Sequence, residues 1–455
     1  MMRAQTLFAV ADACGVARSA VDATFTRVET DSRKVQSGDL FVALKGDRFD
    51  AHDFLVDVQR AGAIAAVVEK ISSDISLPQL LVKDTVQALG EIAALNRDLF
   101  AGRVIGLTGS AGKTTTKEMI AAILAQQGKP WVTQGNLNNH LGVPMTLLAL
   151  SPEHDCAVIE MGASALDEIR YLTQMVKPDV ALVTNVGAAH LEGFGSVENI
   201  AAGKREIFEG LAVGGTAVIN LDNVWTAAYR TALPASVKVV TFSAEKSADV
   251  FASNTKQSAS GVSFTLHAQN ASHPVVLQFL GVHNVSNALA AAACCLALGL
   301  SLDVVSVGLC AAKPYKGRLQ TRKGIEGCRV IDDSYNASPT SVRAAIDTLL
   351  QCAGEKILVL GDMAELGADA KALHTEIGVY AKNTGIKTLL VTGELSRATA
   401  EAFGAGAQHF STWELLAAQC VALANKQSIF LVKGSRSAGM DRVADKLAAT
   451  EELLC

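Results

Sequence analysis

The chain has 455 residues, and at about 150 residues per domain it is long enough for about three domains. Apolar residues make up 49% and charged residues 19%, which excludes extended disorder and supplies material for buried cores. A net charge of −5 excludes an extended nucleic-acid footprint, which needs clustered Lys and Arg, but leaves room for a local anion site.

The opening MMRAQTLFAV has no apolar core of signal-peptide length. The longest apolar run, 288–300, falls short of the roughly 18 residues a membrane span needs, so it reads as a buried helix. Nine cysteines, with no CxxC pair and no signal peptide, read as reduced thiols of a cytoplasmic protein.

In chain order, 40–44 and 63–68 are short apolar runs between polar turns, which fit strands of a small α/β unit. A helix is expected from about 85 to 100. The strand 103–108 then leads through a Gly-rich turn into a helical pattern, which Gly128 and Pro130 end. The runs 156–159, 180–184 and 216–220 alternate with helical segments and imply βαβ units with a mainly parallel sheet. Past a boundary near Lys313-Pro314, the runs 356–360, 388–391 and 429–432 repeat that alternation and predict a second open sheet with a ligand crevice at its strand ends. The expected fold is α/β in three domains. These are an N-terminal unit (1–84), a central phosphate-loop parallel-sheet unit (85–312) and a C-terminal Rossmann-like unit (313–455).

The most specific signal is GxxxxGK[ST], filled by Gly106 through Lys113 and Thr114 between a predicted strand and a predicted helix. The turn Gly109-Ser110-Ala111-Gly112 lets backbone N–H groups converge on phosphate oxygens, and the helix N-terminus adds favourable potential for an anion. Lys113 would reach the β/γ-phosphates, and the Thr114 hydroxyl would ligate Mg²⁺. No NKxD string reads a guanine base, which favours ATP over GTP; the nearest is Asn425-Lys426-Gln427-Ser428. Glu160, at a predicted strand end, is a second Mg²⁺ candidate. His190 also follows a strand but, taken alone, reads more readily as a structural histidine. Lys204 alone is a helix-face lysine, and Asn138-Asn139 fits either ligand binding or turn capping.

These strings together resemble the Mur ligase family. The likeness lies in 108–117, Gly135-Asn136-Leu137-Asn138-Asn139, Glu160-Met161-Gly162, 185–192 and Lys204-Arg205-Glu206-Ile207. It continues through His283-Asn284-Val285-Ser286-Asn287, Gly317-Arg318, Asp332-Asp333-Ser334-Tyr335-Asn336, 360–367 and Lys433-Gly434-Ser435-Arg436. Thr30-Asp31-Ser32-Arg33 and 38–46 are similar to the family segment that holds a UDP-muramoyl substrate. Two departures stand out: Asp50-Ala51-His52 where Asp-Gly-His is frequent, and Asn336-Ala337-Ser338-Pro339 where Asn-Ala-Asn-Pro is frequent.

The resemblance, strongest to the branch that adds a dipeptide, implies an ATP-dependent ligase. It would join D-Ala-D-Ala to the tripeptide carboxylate of UDP-N-acetylmuramoyl-tripeptide through an acyl phosphate. By the same resemblance, the loop 109–112 with Lys113, Thr114 and Thr115 would hold ATP. Asn284 and Asn287 would hold the adenine edge, Asp333 the ribose and Arg318 the γ-phosphate. Thr114, Glu160, His190 and a carbamylated Lys204 would serve two Mg²⁺. Ser32, Arg33, Lys45, Asn138, Asn139, Asn336, Ser338, Lys433, Ser435 and Arg436 would meet the UDP-peptide or the dipeptide. The expected protein is a monomer that takes small-molecule substrates, with neither a nucleic-acid partner nor a membrane span. Two other readings share the phosphate loop: a sister amide ligase, and an ATP-binding switch without ligase chemistry.

Overall fold

The computed structural model describes residues 1–46, 49–258 and 260–449. Three large sheets organise the described residues, beside a small antiparallel pair of Gln5–Thr6 with Thr24–Phe25. The first is fully parallel, with Val28–Glu29, Leu40–Val42, Ala65–Val68 and Gln79–Leu81 side by side in chain order. The continuous apolar character of 40–42 and 65–68 is that of strands covered on both faces, and all seven residues are buried.

Helix Thr85–Asp98 leads from this sheet to the next. Its cap is Asp84, which accepts from the backbone N–H groups of Val86 and Gln87. Ala88, Leu89 and Ile92 pack into the first core and Ala93 into the second, so the helix serves both units.

The second sheet has nine strands. Arg103–Thr108 lies third from one edge, with Val180–Val183 on one side and Cys156–Glu160 on the other, all parallel. Chain order reverses around this strand, so a crevice opens at its carboxyl end. Helices cover both faces. On one side, Lys113–Leu124, Leu302–Ala311 and the Ala-rich His283–Ala297 pack on Ile105 and Leu107; on the other, Glu168–Val176 closes over Val104 and Ile159. The apolar run 288–300 falls largely within His283–Ala297, where small side chains allow close approach on every face, and it is buried as the sequence implied.

The edge of this sheet departs from the expected pattern. Val250–Ser258, Gly261–Ala268 and Ala271–Leu277 form antiparallel hairpins that extend it. Only Gly261–Ala268 alternates cleanly between buried and half-buried positions.

The third sheet runs Gln320–Lys323, Arg329–Asp333, Ser428–Lys433, Glu355–Leu360, Thr388–Thr392 and Ala407–Phe410. Its first pair is antiparallel and the rest are parallel. Three strands here, ending at Asp333, Leu360 and Lys433, send their following loops toward the crevice of the second sheet. The helix Pro339–Leu350 begins with a Ser338–Ser341 capping box and a proline in its first turn, which fixes the loop after Asp333. Among the described residues no helix is long and apolar enough to cross a membrane. The eight described cysteines are free thiols; Cys455 and the end of the 313–455 unit lie outside the described residues.

Candidate active site

A cleft of about 990 Å³ lies between the second and third sheets. The phosphate loop borders it and contributes Lys113 to its lining. Gly109 and Gly112 have φ of +152° and +77°, values that a side chain would strain. A Cβ on Gly109 would sit 1.9 Å from Thr184 Oγ1, and one on Gly112 would sit 2.3 Å from Asn287 Oδ1. The loop is held from behind by the segment after Val180–Val183. Ala111 N–H donates to Asn185 Oδ1 (2.9 Å), and the Thr184 hydroxyl donates to the Ala111 carbonyl (2.7 Å). Ser110 N–H donates to the Asn185 carbonyl (3.0 Å).

Lys113 opens the helix and donates to the Gly109 carbonyl at 2.7 Å, curling over the loop. Burial lowers its pKa, Glu160 opposes that shift, and Arg318 across the cleft reinforces it. Beside it, the Thr114 hydroxyl donates to Glu160 Oε2 (3.1 Å), and Asn138 donates to Glu160 Oε1 (2.9 Å). Glu160 is 2% exposed yet contributes to the cleft wall.

His190 Nδ1 meets a Glu365 carboxylate oxygen across the cleft, from the second sheet to the third. Both have left-handed backbone, with φ of +56° and +61°. Non-glycine residues adopt that region at a cost, and such strain gathers at functional sites. Burial lowers the His190 pKa, while Glu365 raises it.

Lys204 lies one layer behind, 1% exposed, with its ammonium 3.4 Å from the Ala163 carbonyl and 5.4 Å from the Phe194 ring. Burial, with the charge of Lys113, brings its pKa down to about 7, against the pull of Glu168 and Glu206.

Of the residues singled out from sequence, Lys113, Asn138, Asn139, Glu160, His190, Arg318, Asn336, Ser338, Ser435 and Arg436 line this cleft. Asn284 and Asn287 do not; they are buried, Asn284 Nδ2 bonds the Leu280 carbonyl, and Asn287 Nδ2 bonds Asn284 Oδ1. Asn287 thus backs Gly112. Asp333 is also internal and accepts from Leu319 N–H and Lys433 Nζ. Lys433 differs from the sequence-based expectation. Its ammonium is buried and bonded to Asp333 (2.6 Å) and the Asn336 carbonyl (2.8 Å), so it shapes the loop and does not face the cleft. Ser435 accepts from Ala364 N–H and ties two cleft loops together. Ser32 and Arg33 sit in the 3₁₀ turn Ser32–Lys34 and Lys45 bridges to Asp50, both beside the first sheet and away from the cleft lining; Arg33 is exposed and bonded to Asp31. Tyr335 and Glu365, which carry no local signal of their own in the sequence, also line the cleft.

Among the described residues no three His, Cys, Asp or Glu side chains converge as a preformed metal site. The donors beside Lys113 are instead a hydroxyl and one carboxylate. That set suits Mg²⁺, which commonly binds through one or two carboxylates with phosphate oxygens completing its shell.

A phosphate loop bordering the cleft through Lys113, arginines on the opposite wall and a cleft closed by a separate sheet define a nucleotide enzyme that assembles its site between two units. Known proteins agree. The Mur ligase family, catalytic domain matches 24–97, the Mur ligase middle domain 107–295 and the Mur ligase, glutamate ligase domain 317–436. The UDP-N-acetylmuramoyl-tripeptide--D-alanyl-D-alanine ligase of Escherichia coli is 46% identical over 429 residues, covering 94% of each chain. The enzyme of that name from Bacillus subtilis is 36% identical, covering 92% of each. Crystal structure I of MurF from Acinetobacter baumannii superposes with a TM-score of 0.91 at 38% identity, covering 98% of this chain and 99% of that one. The chain belongs to the Mur ligase family and is an ATP-dependent, amide-forming ligase.

Proposed function

We propose that the chain joins D-alanyl-D-alanine to the tripeptide carboxylate of UDP-N-acetylmuramoyl-tripeptide, in peptidoglycan precursor synthesis. The observation that carries this reading is end-to-end similarity to enzymes named for that reaction, on a cleft with phosphate-binding and carboxylate-binding groups on facing walls. A structure of MurF from Thermotoga maritima in complex with ADP, 30% identical with a TM-score of 0.83, supports the nucleotide assignment.

The chemistry follows from charge. A carboxylate resists attack by an amine, so one of its oxygens first takes the γ-phosphoryl group of ATP and releases ADP. The amine of the dipeptide then attacks the acyl carbon, and the C–O bond to phosphate breaks. The nitrogen loses a proton, and inorganic phosphate departs. Lys113 and the N–H groups of the loop hold the β- and γ-phosphates, and Arg318 meets the γ-phosphate from the third sheet. Thr114 and Glu160 would hold Mg²⁺, which would neutralise phosphate charge, and His190 would serve a second ion.

Lys204, neutral above about pH 7, suits addition of CO₂ to give a carbamate and one proton, which replaces a cation with an anion behind the metal site. The second-layer residues Asn284, Asn287 and Asp333 fix the nucleotide pocket from behind. Asn138, Asn139, Asn336, Ser338 and Ser435 face the peptide, and Arg436 takes the dipeptide carboxylate. Ser32, Arg33 and Lys45 hold the UDP end from the first unit. The units divide at 1–84, 85–312 and 313–455. The protein works as a monomer in the cytoplasm, where ATP and UDP-linked precursors are found.

The test is phosphate release from Mg²⁺-ATP with the UDP-tripeptide, with and without D-Ala-D-Ala, and a mass measurement of the product. Release that requires both, with a product heavier by the dipeptide less water, is expected. Release indifferent to the dipeptide, or a product that gains one amino acid, would overturn the reading.

A further inference from the structure

Arg318 and Arg436 face the cleft from different segments, and neither makes an ion pair or a side-chain hydrogen bond among the described residues. Arg318 Nε is buried and unpartnered. What the two share is one ring. The Arg318 guanidinium carbon lies 4.0 Å from the Tyr335 centroid and that of Arg436 lies 5.7 Å from it. An aromatic face can orient a guanidinium through its quadrupole without consuming any N–H donor, which leaves the donors for an arriving anion.

Backbone geometry puts the ring there. Tyr335 follows the strand Arg329–Asp333, whose register sets Asp333 opposite Lys433, so the loops that carry Tyr335 and Arg436 emerge side by side. On the other side Tyr335 N–H donates to the Gly317 carbonyl at 3.2 Å. Gly317 has φ +73°, and a Cβ there would lie 3.3 Å from Tyr335 Cβ, so a glycine permits the close approach that sets Arg318 over the ring.

We propose that Tyr335 is a shared positioning residue, a single aromatic platform that orients Arg318 for the γ-phosphate and Arg436 for the dipeptide carboxylate. It thereby sets both anion sites together. This rests on the ligase reading above, which gives the two arginines those ligands. With the cleft empty, two cations gathered around one ring repel each other. An anion on either arginine relieves that repulsion, so each ligand favours the other.

The test is steady-state kinetics of the full chain, varying each of the three substrates in turn. Tyr335→Leu removes the face and raises KM for ATP and for D-Ala-D-Ala by about three- to tenfold each, with KM for the UDP-tripeptide unchanged. Tyr335→Phe keeps the face and restores both KM values to within about twofold of the parent. Should the Leu variant fold poorly, trifluorophenylalanine at 335 preserves the ring's shape while withdrawing its electron density, and both KM values must rise together. A rise in only one of them, a rise equal in the Phe and Leu variants, or no rise on fluorination would overturn the platform. A parent enzyme whose phosphate release ignores the dipeptide would instead overturn the ligase reading itself, so the two failures are distinct.

Discussion

Lys433→Met tests whether the third unit is built around a buried ion pair. Lys433 is 2% exposed, and its ammonium sits 2.6 Å from Asp333 Oδ2 and 2.8 Å from the Asn336 carbonyl. Burial pushes the Lys433 pKa down, and Asp333 holds it up, so the charge on the lysine depends on its partner. Removal of one member strands the other charge in a poorly solvated site, a loss of about 3–5 kcal/mol. The pair joins two neighbouring parallel strands at Asp333 and Lys433, so the loss should show first as local opening there. At about 1.4 kcal/mol per tenfold, amide exchange across Arg329–Asp333 and Ser428–Lys433 should quicken by about two to three and a half orders of magnitude. Exchange in Arg103–Thr108 of the second sheet should stay near its parental rate. The double variant Asp333→Asn with Lys433→Met, which leaves no stranded charge, should recover part of the protection. A single variant that changes exchange by less than about threefold, or a double variant worse than the single, would refute a structural role for the pair.

Two further outcomes follow from the site. Gly112→Ala places a Cβ 2.3 Å from Asn287 Oδ1 at φ +77°, with a backbone penalty of about 1–2 kcal/mol, so calorimetry should find a non-hydrolysable ATP analogue bound at least tenfold more weakly. Lys204 reacts with CO₂ only as the neutral amine, and its folded pKa of about 7 lies below the usual lysine value. At fixed dissolved CO₂, a ¹³C-carbamate signal and activity should both rise as pH increases through about 7, and Lys204→Arg should abolish the signal. The linkage has the matching sign: between about 7 and the usual lysine pKa the folded state binds fewer protons than the unfolded chain. The destabilisation from this buried amine is therefore largest at low pH and fades as pH rises.

The phosphate loop was legible in sequence because its chemistry demands glycines, a lysine and a hydroxyl at fixed local spacing between a strand and a helix. The parallel sheets were legible from apolar runs such as Cys156–Glu160 and Ser428–Lys433, which are buried on both faces. The antiparallel edge was not. Val250–Ser258 carries mostly polar residues with half-exposed side chains, so it offers no strong period. Long-range pairs escaped for a different reason. Nothing local marks Lys433 as the partner of Asp333; a parallel register across one hundred residues brings them together. Glu365 likewise gains His190 only when the third sheet meets the second, and Tyr335 gains Arg318 and Arg436 only when separate loops of the third unit come together.

The central claim is that one carboxylate oxygen of the tripeptide leaves with the phosphate. With ¹⁸O in both oxygens of that carboxylate, mass spectrometry of the products reads this directly. The account predicts one label in inorganic phosphate and one retained in the new amide carbonyl, and only when ATP and D-Ala-D-Ala are both present. Unlabelled phosphate beside a correctly formed amide would contradict it.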